Sequence, residues 1–321
     1  MQSEPYHFER ATLEQLETAF PGRLRLDAPL ARYTAARVGG AADALLEVRS
    51  AEELAQAVRL LWEAQVPWVL LGGGSNVLVS DAGVRGVVIL NRARRIRFGK
   101  GDQTPQVWAE SGANLGVIAR QAARRGLTGL EWAAGIPGSL GGAVYGNAGA
   151  HGSDMGDNLL VADILHRLTP EGIAVRETWT VEQLDYSYRI SALKRHPGKA
   201  VVLAASLRLE KSMPEAVRAR MEELSAYRHR TQPPGASMGS MFKNPPGDYA
   251  GRLIEAAGLK GKRIGGAEIS SLHANFFVNR GGATAQEIDT LIQEARRAVQ
   301  AKFGVELELE IEKIGEWTKT V

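Results

Sequence analysis

Residues 135–152 read GIPGSLGGAVYGNAGAHG and hold seven glycines in 18 residues, with no Asp, Glu, Lys or Arg. Glycine loses more conformational freedom on folding than other residues, so this density indicates backbone that turns sharply or approaches another group closely. The interspersed Ile136, Leu140, Val144 and Tyr145 favour burial over the alternative of an exposed glycine-rich loop. The segment therefore predicts a close backbone contact with a bound group.

A second glycine cluster, GGGSN at residues 72–76, follows the apolar run VPWVLL and precedes VLVSDAGVRGVVIL. This order of strand and loop patterns, with a helical pattern before it, is typical of an α/β domain. Successive backbone N–H groups bind anions, so two glycine loops favour a ligand that bears phosphate. The dinucleotide fingerprint GxGxxG and the P-loop pattern are both absent from the sequence. A dinucleotide such as FAD fits better than ATP, which would require a lysine and Mg²⁺ ligands.

The composition is that of an ordinary soluble protein of 321 residues, with 44% hydrophobic residues, 23% charged residues and a net charge of +3. This charge is too small to imply a nucleic-acid partner.

The absence of cysteine removes disulfides and zinc–thiolate sites, and the six histidines show no paired spacing, so we expect no metal site. The N-terminus lacks the apolar core of a signal peptide, and no apolar run approaches the ~20 residues of a membrane span. We expect a cytoplasmic protein with no membrane contact and no obligate protein partner.

A basic cluster in the middle of the N-terminal half is open to two interpretations. Its members are Arg92, Arg94, Arg95, Arg97 and Lys100. A nucleic-acid patch would be expected to carry several stacking aromatic residues, and only one phenylalanine interrupts this cluster. The cluster also lies between two strand patterns, so the solvated edge of a sheet is the favoured interpretation.

Local patterns predict several element boundaries. Capping boxes of the form Ser/Thr-x-x-Glu predict helix starts at Ser50–Glu53, Ser212–Glu215 and Thr284–Glu287. Strict alternation in VELELEIEKI, residues 305–314, predicts a strand with four glutamates on one face. On physical grounds alone these glutamates are solvated charges at a sheet edge.

Seven motifs, in order along the chain, resemble the bacterial UDP-N-acetylenolpyruvoylglucosamine reductases, the flavoenzymes that complete UDP-N-acetylmuramic acid for peptidoglycan. They are GGGSNVLVSDAG, GIPGSLGGAVYGNAGAHG, YSYRIS, GSMFKNP, AGLKGKRIGGAEIS, HANFFVN and LELEIEKIG. The resemblance runs from about Tyr33 to Gly315. The short span between Arg189 and Ser240 resembles the branch of the family that lacks an extra tyrosine-bearing loop.

The resemblance implies a mixed α/β and α+β fold. A two-lobed FAD-binding domain of the vanillyl-alcohol-oxidase type would be followed by a C-terminal α/β substrate-binding domain. We expect a lead-in at residues 1–29 and the FAD-binding domain at 30–212, with lobes at about 30–92 and 93–212. The substrate-binding domain would occupy residues 218–321, and its last strand would return to the active site.

The resemblance also implies the reaction and its cofactors. NADPH would supply a hydride, through non-covalently bound FAD, to the enolpyruvyl ether of UDP-N-acetylglucosamine. Both glycine loops would contact the FAD. The implied cofactor-binding residues are Gly72, Gly73, Gly74, Ser75, Asn76, Gly135, Ile136, Pro137, Gly138, Ser139 and Gly142.

Three residues match the catalytic positions of the family. Arg189 in YSYRIS matches the arginine that binds the substrate carboxylate, a task that suits a bidentate guanidinium. Ser240 in GSMFKNP matches the proton donor. Glu310 in LELEIEKIG matches the catalytic carboxylate, and Glu308 is the alternative if the register differs by two residues. Beside a developing enolate, Glu310 would be protonated or hydrogen-bonded, since a bare carboxylate would repel that charge.

The resemblance names further contacts with the substrate. Tyr188 and Asn244 match substrate-contacting positions, and Lys243 would support the same loop. Two rival interpretations remain at this point. The first is another FAD-dependent oxidase or dehydrogenase of the same fold, and the second is a catalytically silent protein that binds a nucleotide.

One departure from the family pattern lies in RHRTQPP. Many relatives have a lysine for the UDP diphosphate where this chain has Thr231. Arg228 and Arg230 are the alternative substitutes. His273, near HANFFVN, is expected to be structural rather than catalytic.

Overall fold

The computed structural model describes residues 10–99, 104–169 and 173–317, so the start of the expected lead-in, Lys100 and residues 318–321 lie outside the described residues. In chain order the helices are α1 Arg10–Ala19, α2 Ala51–Glu63, α3 Leu115–Ala123, α4 Leu140–Gly146, α5 Met155–Asn158, α6 Val181–Leu184, α7 Ala192–Arg195, α8 Pro214–Thr231, α9 Ala250–Ala256 and α10 Ala285–Phe303. The strands are β1 Leu24–Pro29, β2 Ala41–Val48, β3 Trp68–Leu71, β4 Val77–Val79, β5 Val84–Asn91, β6 Ile96–Phe98, β7 Gln106–Glu110, β8 Leu127–Thr128, β9 Gly149–Ala150, β10 Ser153–Asp154, β11 Leu159–Arg167, β12 Ala174–Trp179, β13 Ala200–Arg208, β14 Glu210–Lys211, β15 Ala236–Ser240, β16 Arg263–Ile264, β17 Ala267–Ile269, β18 Phe276–Asn279 and β19 Glu312–Ile314.

The chain divides into two compact units, and both are discontinuous. The first comprises Met1–Leu26, Ala44–Gly73 and Gly86–Tyr227, and the second comprises Asp27–Asp43, Gly74–Arg85 and Arg228–Val321. This division differs from the continuous domains expected from the sequence, because two early segments belong with the C-terminal part. The pairing of β19 with β4, in parallel, accounts for one of them.

An antiparallel sheet of five strands, in the order β12-β11-β13-β7-β6, lies in the first unit. Helices α3 and α4 pack their apolar side chains on it, with Ile118, Val144 and Leu207 fully buried in the shared core. β6 is an edge strand, and Arg94, Arg95 and Arg97 are exposed on it or just before it. For these described members, the interpretation of the basic cluster as a solvated sheet edge is confirmed.

A second sheet of the first unit has the order β1-β2-β5-β3 and packs against α2. β3 and β5 are parallel, with Trp68 opposite Val87, as the α/β pattern of the sequence indicated. The Ser50 hydroxyl accepts from the Glu53 amide at 3.2 Å and so begins α2. The Glu53 carboxylate accepts from the Arg49 amide at 2.7 Å, so only half of the expected capping box forms.

The second unit contains an antiparallel sheet in the order β15-β18-β17-β16, covered by α9 and α10. The capping box at Thr284–Glu287 is complete, and α10 ends at Gly304 with a left-handed φ of 70°. Asp81 also accepts from the amides of Ala285 and Gln286, both at 2.9 Å. A carboxylate at this position satisfies two of the unpaired N–H groups at the start of the helix.

Two expected elements are corrected. The expected strand over 305–314 is regular only in β19, with an isolated bridge between Leu309 and Phe242 before it. Burial nevertheless alternates, since Leu307 and Ile311 are buried while Glu306 and Glu308 are exposed. The expected cap at Ser212 does not form, because α8 begins at Pro214, and proline favours the first helical position. Among the described helices, none combines the length and the apolar character needed to span a bilayer.

Candidate active site

Two glycine loops meet in the first unit. A Cβ added at Gly72 would overlap the Ser139 hydroxyl, and one added at Gly73 would lie 3.2 Å from the Gly138 Cα. Two stretches of backbone that approach this closely leave no room for side chains between them. The structure therefore brings together residues from both clusters that the sequence singled out, and glycine is required where they touch.

The glycine-rich segment at residues 135–152 contains α4, which the sequence did not predict. Ser139 begins this helix, and the amides of Leu140 and Gly141 donate to the carbonyls of Ala113 and Ser111 at 2.8 and 2.7 Å. Ile136 packs against the core, in line with the apolar residues noted in the sequence. The members of the expected cofactor set that remain exposed are Gly73, Asn76, Gly135, Pro137 and Gly142.

Residues 74–76 of the first glycine cluster belong to the second unit, where they contact main-chain groups of other segments. Gly74 has a φ of +61°, and a Cβ there would overlap the Tyr33 carbonyl. Ser75 is half-buried. The Asn76 amide donates to the Glu310 carbonyl at 3.0 Å, and the Asn76 carbonyl accepts from the Glu312 amide at 2.9 Å.

Arg189 has a left-handed φ of 60° and lies beside the end of α4. Its guanidinium donates to the Gly149 carbonyl at 2.7 Å and to the Asn147 carbonyl at 3.4 Å. The same group lies 5.0 Å from the centroid of the Tyr188 ring, a distance at which a cation and an aromatic face attract. Arg189 and Tyr188 therefore lie together, next to the last part of the glycine-rich segment.

Asn147 is a structural residue that the sequence reasoning missed. It is buried, has a φ of 44° and ends α4. Its side-chain amide donates to Asp154 at 3.0 Å and to the Ser187 carbonyl at 3.2 Å, and its side-chain oxygen accepts from the Gly156 amide at 3.1 Å. Asn147 thereby links the loop that carries Arg189 to α4. An asparagine that follows a helical pattern tolerates left-handed backbone, and this was the available signal.

Ser240 is the last residue of β15, and the register with β18 shifts between Ser237 and Ser240. Gly239, with a φ of 77°, lies in this irregularity. After it, the Met241 amide donates to the Asn275 carbonyl at 2.7 Å, and the Asn275 side chain bonds both backbone groups of Phe242. The sequence did not point to Asn275, which fixes the backbone that follows Ser240.

Residues 308–310 run antiparallel to residues 241–243. The Lys243 amide donates to the Glu308 carbonyl at 2.8 Å, and the Glu310 amide donates to the Met241 carbonyl at 3.0 Å. The Lys243 ammonium is bound by the Glu308 carboxylate. Glu310 is half-buried, whereas Glu308 is exposed, so the two carboxylates that the sequence left as alternatives have different surroundings. In the second unit, Ser240 and Glu310 therefore lie on paired segments.

Asn244 follows Lys243, and its side-chain oxygen accepts from the Ala250 amide at 3.1 Å at the start of α9.

Arg228 and Arg230 lie in the last turn of α8. Residues two apart on a helix face different directions, so the structure does not bring these two arginines together. Arg228 is half-buried, and burial lowers the pKa of its guanidinium, while Arg230 is exposed.

His273 has the surroundings of a structural residue. Burial lowers the pKa of its imidazole, which favours the neutral form. Its Nδ1 accepts from the Asn275 amide at 3.2 Å, and its ring packs edge-on against Phe276, with 4.9 Å between the centroids. Among residues 10–99, 104–169 and 173–317, no group of His, Asp or Glu side chains could hold a metal ion.

The glycine loops of the first unit fit a dinucleotide. Residues 72–73 and 135–142 lack charged side chains, and glycines at their point of contact let the two backbones approach closely. Exposed backbone at Gly73 and Gly135 can approach phosphate oxygens without a side chain in the way.

Comparisons with known proteins agree with this interpretation. Residues 230–314 match the family model for the C-terminal domain of UDP-N-acetylenolpyruvoylglucosamine reductase, and residues 42–172 match an FAD binding domain. The chain is 49% identical over 301 residues to the UDP-N-acetylenolpyruvoylglucosamine reductase of Rubrobacter xylanophilus, covering 94% of this chain and 98% of the relative. It is 41% identical over 310 residues to that of Bacillus subtilis, covering 94% of this chain and 98% of the relative.

The solved structure of the UDP-N-acetylenolpyruvylglucosamine reductase of Thermus caldophilus is also similar. It superposes with a TM-score of 0.73 at 37% identity, covering 91% of this chain and 98% of that chain. The expected fold, an FAD-binding domain followed by the C-terminal domain of this enzyme family, is confirmed by these matches.

Proposed function

The chain belongs to the UDP-N-acetylenolpyruvoylglucosamine reductases, and from this membership we propose that it reduces the enolpyruvyl ether of UDP-N-acetylglucosamine to UDP-N-acetylmuramate. The observation that carries the proposal is the 49% identity with a named reductase over 94% of this chain. Bound FAD supplies hydride chemistry between NADPH and the enolpyruvyl double bond. The product is a precursor of peptidoglycan, so the enzyme serves cell-wall synthesis and, through it, cell shape and division.

In this proposal the two glycine loops hold the FAD. Gly72 and Gly73, with residues 135–139 and Gly142, supply a surface that is mostly backbone and carries no charged side chain. Gly74, Ser75 and Asn76 continue the first loop. Because Asn76 also bonds the backbone on both sides of Ile311, its amide supports the segment that carries Glu310.

Arg189 binds the carboxylate of the enolpyruvyl group. A guanidinium stays charged and offers two parallel N–H donors, which match a carboxylate. Its bond to the Gly149 carbonyl, at 2.7 Å, orients the side chain before the substrate arrives. Negative charge develops on the carbon next to that carboxylate and spreads into it during reduction, so this arginine stabilises the transition state.

Ser240 delivers the proton that completes the reduction. A hydroxyl is a weak acid, but the carbon of an enolate is a strong base, and a small donor fits a crowded site. Glu310 stabilises the developing enolate through a hydrogen bond. Bonds to Met241 and to Asn76, both at 3.0 Å, hold the main chain that carries this carboxyl group.

The UDP part of the substrate is bound by Tyr188, Asn244 and an arginine of α8. Thr231 stands where many relatives have a lysine, and residues three apart on a helix share a face. We therefore assign the diphosphate to Arg228 rather than Arg230. Its half-buried position also makes its charge more effective toward a phosphate than that of an exposed arginine. Lys243 supports the loop from behind through Glu308.

NADPH and nucleotide sugars are drawn from cytoplasmic pools, so we place the enzyme in the cytoplasm. The test of the function is steady-state oxidation of NADPH with the enolpyruvyl ether of UDP-N-acetylglucosamine, using UDP-N-acetylglucosamine as the control. Oxidation that depends on the enolpyruvyl group, by a yellow protein that releases FAD on denaturation, is the expected result. A colourless protein that does not take up FAD would contradict the proposal.

A further inference from the structure

The side chains of Lys243 and Glu308 form an ion pair of unequal exposure. The Lys243 side chain is only 8% exposed, whereas the Glu308 side chain is 70% exposed. A buried ammonium is costly without a partner, while an exposed carboxylate has water available. The pair therefore matters more to the lysine than to the glutamate.

The paired main chain places a second glutamate, Glu310, next to this ion pair. Glu310 follows Glu308 by two residues in an extended segment, and side chains two apart in such a segment point to the same side, about 7 Å from each other. Lysine has a long and flexible stem, so its ammonium can move between two neighbouring carboxylates. In the structure the ammonium is bound by Glu308.

The main chain around the pair leaves little freedom to avoid this competition. The Lys243 amide bonds the Glu308 carbonyl at 2.8 Å, and the Glu310 amide bonds the Met241 carbonyl at 3.0 Å. Glu310 therefore cannot withdraw from Lys243 by a shift of register. Ser240 immediately precedes the paired residues 241–243. A change in this pairing would therefore also move the proposed proton donor.

We propose that Glu308 is a positioning residue that occupies the Lys243 ammonium and thereby keeps it from forming an ion pair with Glu310. The inference rests on the proposed function, in which Glu310 acts as a protonated or hydrogen-bonded group beside the developing enolate. An ion pair with the ammonium would engage the Glu310 carboxyl group and keep it from the substrate. Glu308 thus separates the charge of the lysine from the carboxyl group that faces the substrate.

Three variants test the proposal: Glu308→Gln, Lys243→Met and the double variant. The rate of flavin reoxidation by the enolpyruvyl substrate is measured by anaerobic stopped flow, with flavin reduction by NADPH and the melting temperature as additional readouts. We expect Glu308→Gln to slow reoxidation by about tenfold or more and to leave reduction by NADPH unchanged. Lys243→Met should be faster than Glu308→Gln, and the double variant should match Lys243→Met.

This order of rates, at an unchanged melting temperature, separates positioning from a simple loss of stability. A Lys243 ammonium left unpaired in Glu308→Gln could also destabilise the loop, but in that case the rates would follow the melting temperatures, and reduction by NADPH would fall together with reoxidation. A Lys243→Met rate equal to or below that of Glu308→Gln would overturn the proposal. Unmodified enzyme that is not reoxidised by the substrate would overturn the proposed function as well, whereas normal turnover with the wrong order of rates would overturn only the role of Glu308.

Discussion

Ser240 lies where the register of β15 and β18 is interrupted, next to the left-handed Gly239. As the proposed proton donor, it acts only when the substrate is reduced. We expect Ser240→Ala to leave flavin reduction by NADPH nearly intact and to slow reoxidation by the substrate about 10²- to 10⁴-fold, which is the usual effect of a positioned acid or base. Stopped-flow absorbance of the flavin measures both steps.

Ser237 provides the matched control for this variant, because it lies on the same strand and pairs with Val278. Ser237→Ala should change neither step by more than about twofold, because the Ser237 hydroxyl has no proposed role in either step and the substitution removes a single atom. Equal losses in the two steps for Ser240→Ala would contradict its role as the proton donor.

Gly74 is a residue whose backbone requires glycine. Its φ is +61°, and a Cβ there would overlap the carbonyl of Tyr33. We expect Gly74→Ala to lower the free energy of unfolding by about 2 kcal/mol or more, because left-handed strain of about 1–2 kcal/mol adds to the overlap. Thermal and urea unfolding measure the loss. Gly146→Ala is the control, since a Cβ at Gly146 meets nothing within 4 Å, and its stability should be unchanged or higher.

The distinction between Glu308 and Glu310 shows where residue-level reasoning from the sequence stops. Alternation in residues 305–314 makes the glutamates equivalent, and only the resemblance to a family singles out Glu310. Their partners come from residues far away in the chain: Lys243 for Glu308, and Met241 and Asn76 for Glu310. Contacts between distant segments are set by the tertiary fold and leave no local pattern. The glycines, by contrast, could be predicted, because a close backbone approach requires that residue type.

At the scale of elements, Glu110 joins a strand to a helix. Its side chain is 1% exposed and forms an ion pair with Arg95. One oxygen accepts from the Ala51 amide at the start of α2, at 3.1 Å, and the other accepts from the Arg95 amide at 2.8 Å. An anion is favoured there because the amides at a helix start carry partial positive charge.

We expect Glu110→Gln to lower the free energy of unfolding by about 1–3 kcal/mol, the usual cost of leaving a buried charged hydrogen bond unmade. In the variant, the side-chain NH₂ group would face either the Ala51 amide or the Arg95 amide. Both of these are donors, so one hydrogen bond would be lost. Urea unfolding, followed by circular dichroism, measures the change. Glu215→Gln on α8 is the control, because Glu215 forms an exposed ion pair with Arg218 and the substitution should change stability by less than about 0.5 kcal/mol. Similar midpoints for the two variants would contradict the role of Glu110.

Elements with strong local signals could be predicted, and elements without them could not. The box at Thr284–Glu287 begins α10 as expected, because both reciprocal bonds form within four residues. The Ser212 box fails because Pro214 takes the first helical position and leaves Ser212 one residue too early. The alternation over 305–314 gives the right pattern of burial but the wrong regular strand, because only residues 312–314 find a strand partner, in β4.

The whole molecule departs most from the sequence expectation in its division into units. The core of the second unit includes Ala36, Val38 and Leu78, which lie far from the C-terminal part in the chain. β19 has β4 as its partner, and the start of α10 is satisfied by Asp81. A sequence pattern shows local periodicity but not which distant segment completes a core. A continuous substrate-binding domain was therefore the natural expectation.

This division makes a direct prediction about a fragment of residues 228–321. We expect it not to unfold cooperatively, because it lacks the three buried side chains, the partner of β19 and the Asp81 carboxylate that bonds the start of α10, and a small domain has little stability to lose. Thermal unfolding by circular dichroism and hydrogen exchange measure this. Peptides of residues 27–43 and 74–85, added together, should increase the protection of amides in α10 and β19, while scrambled peptides should not. A cooperative transition of the fragment alone would instead show that residues 228–321 complete their own core, as the continuous domain at 218–321 requires.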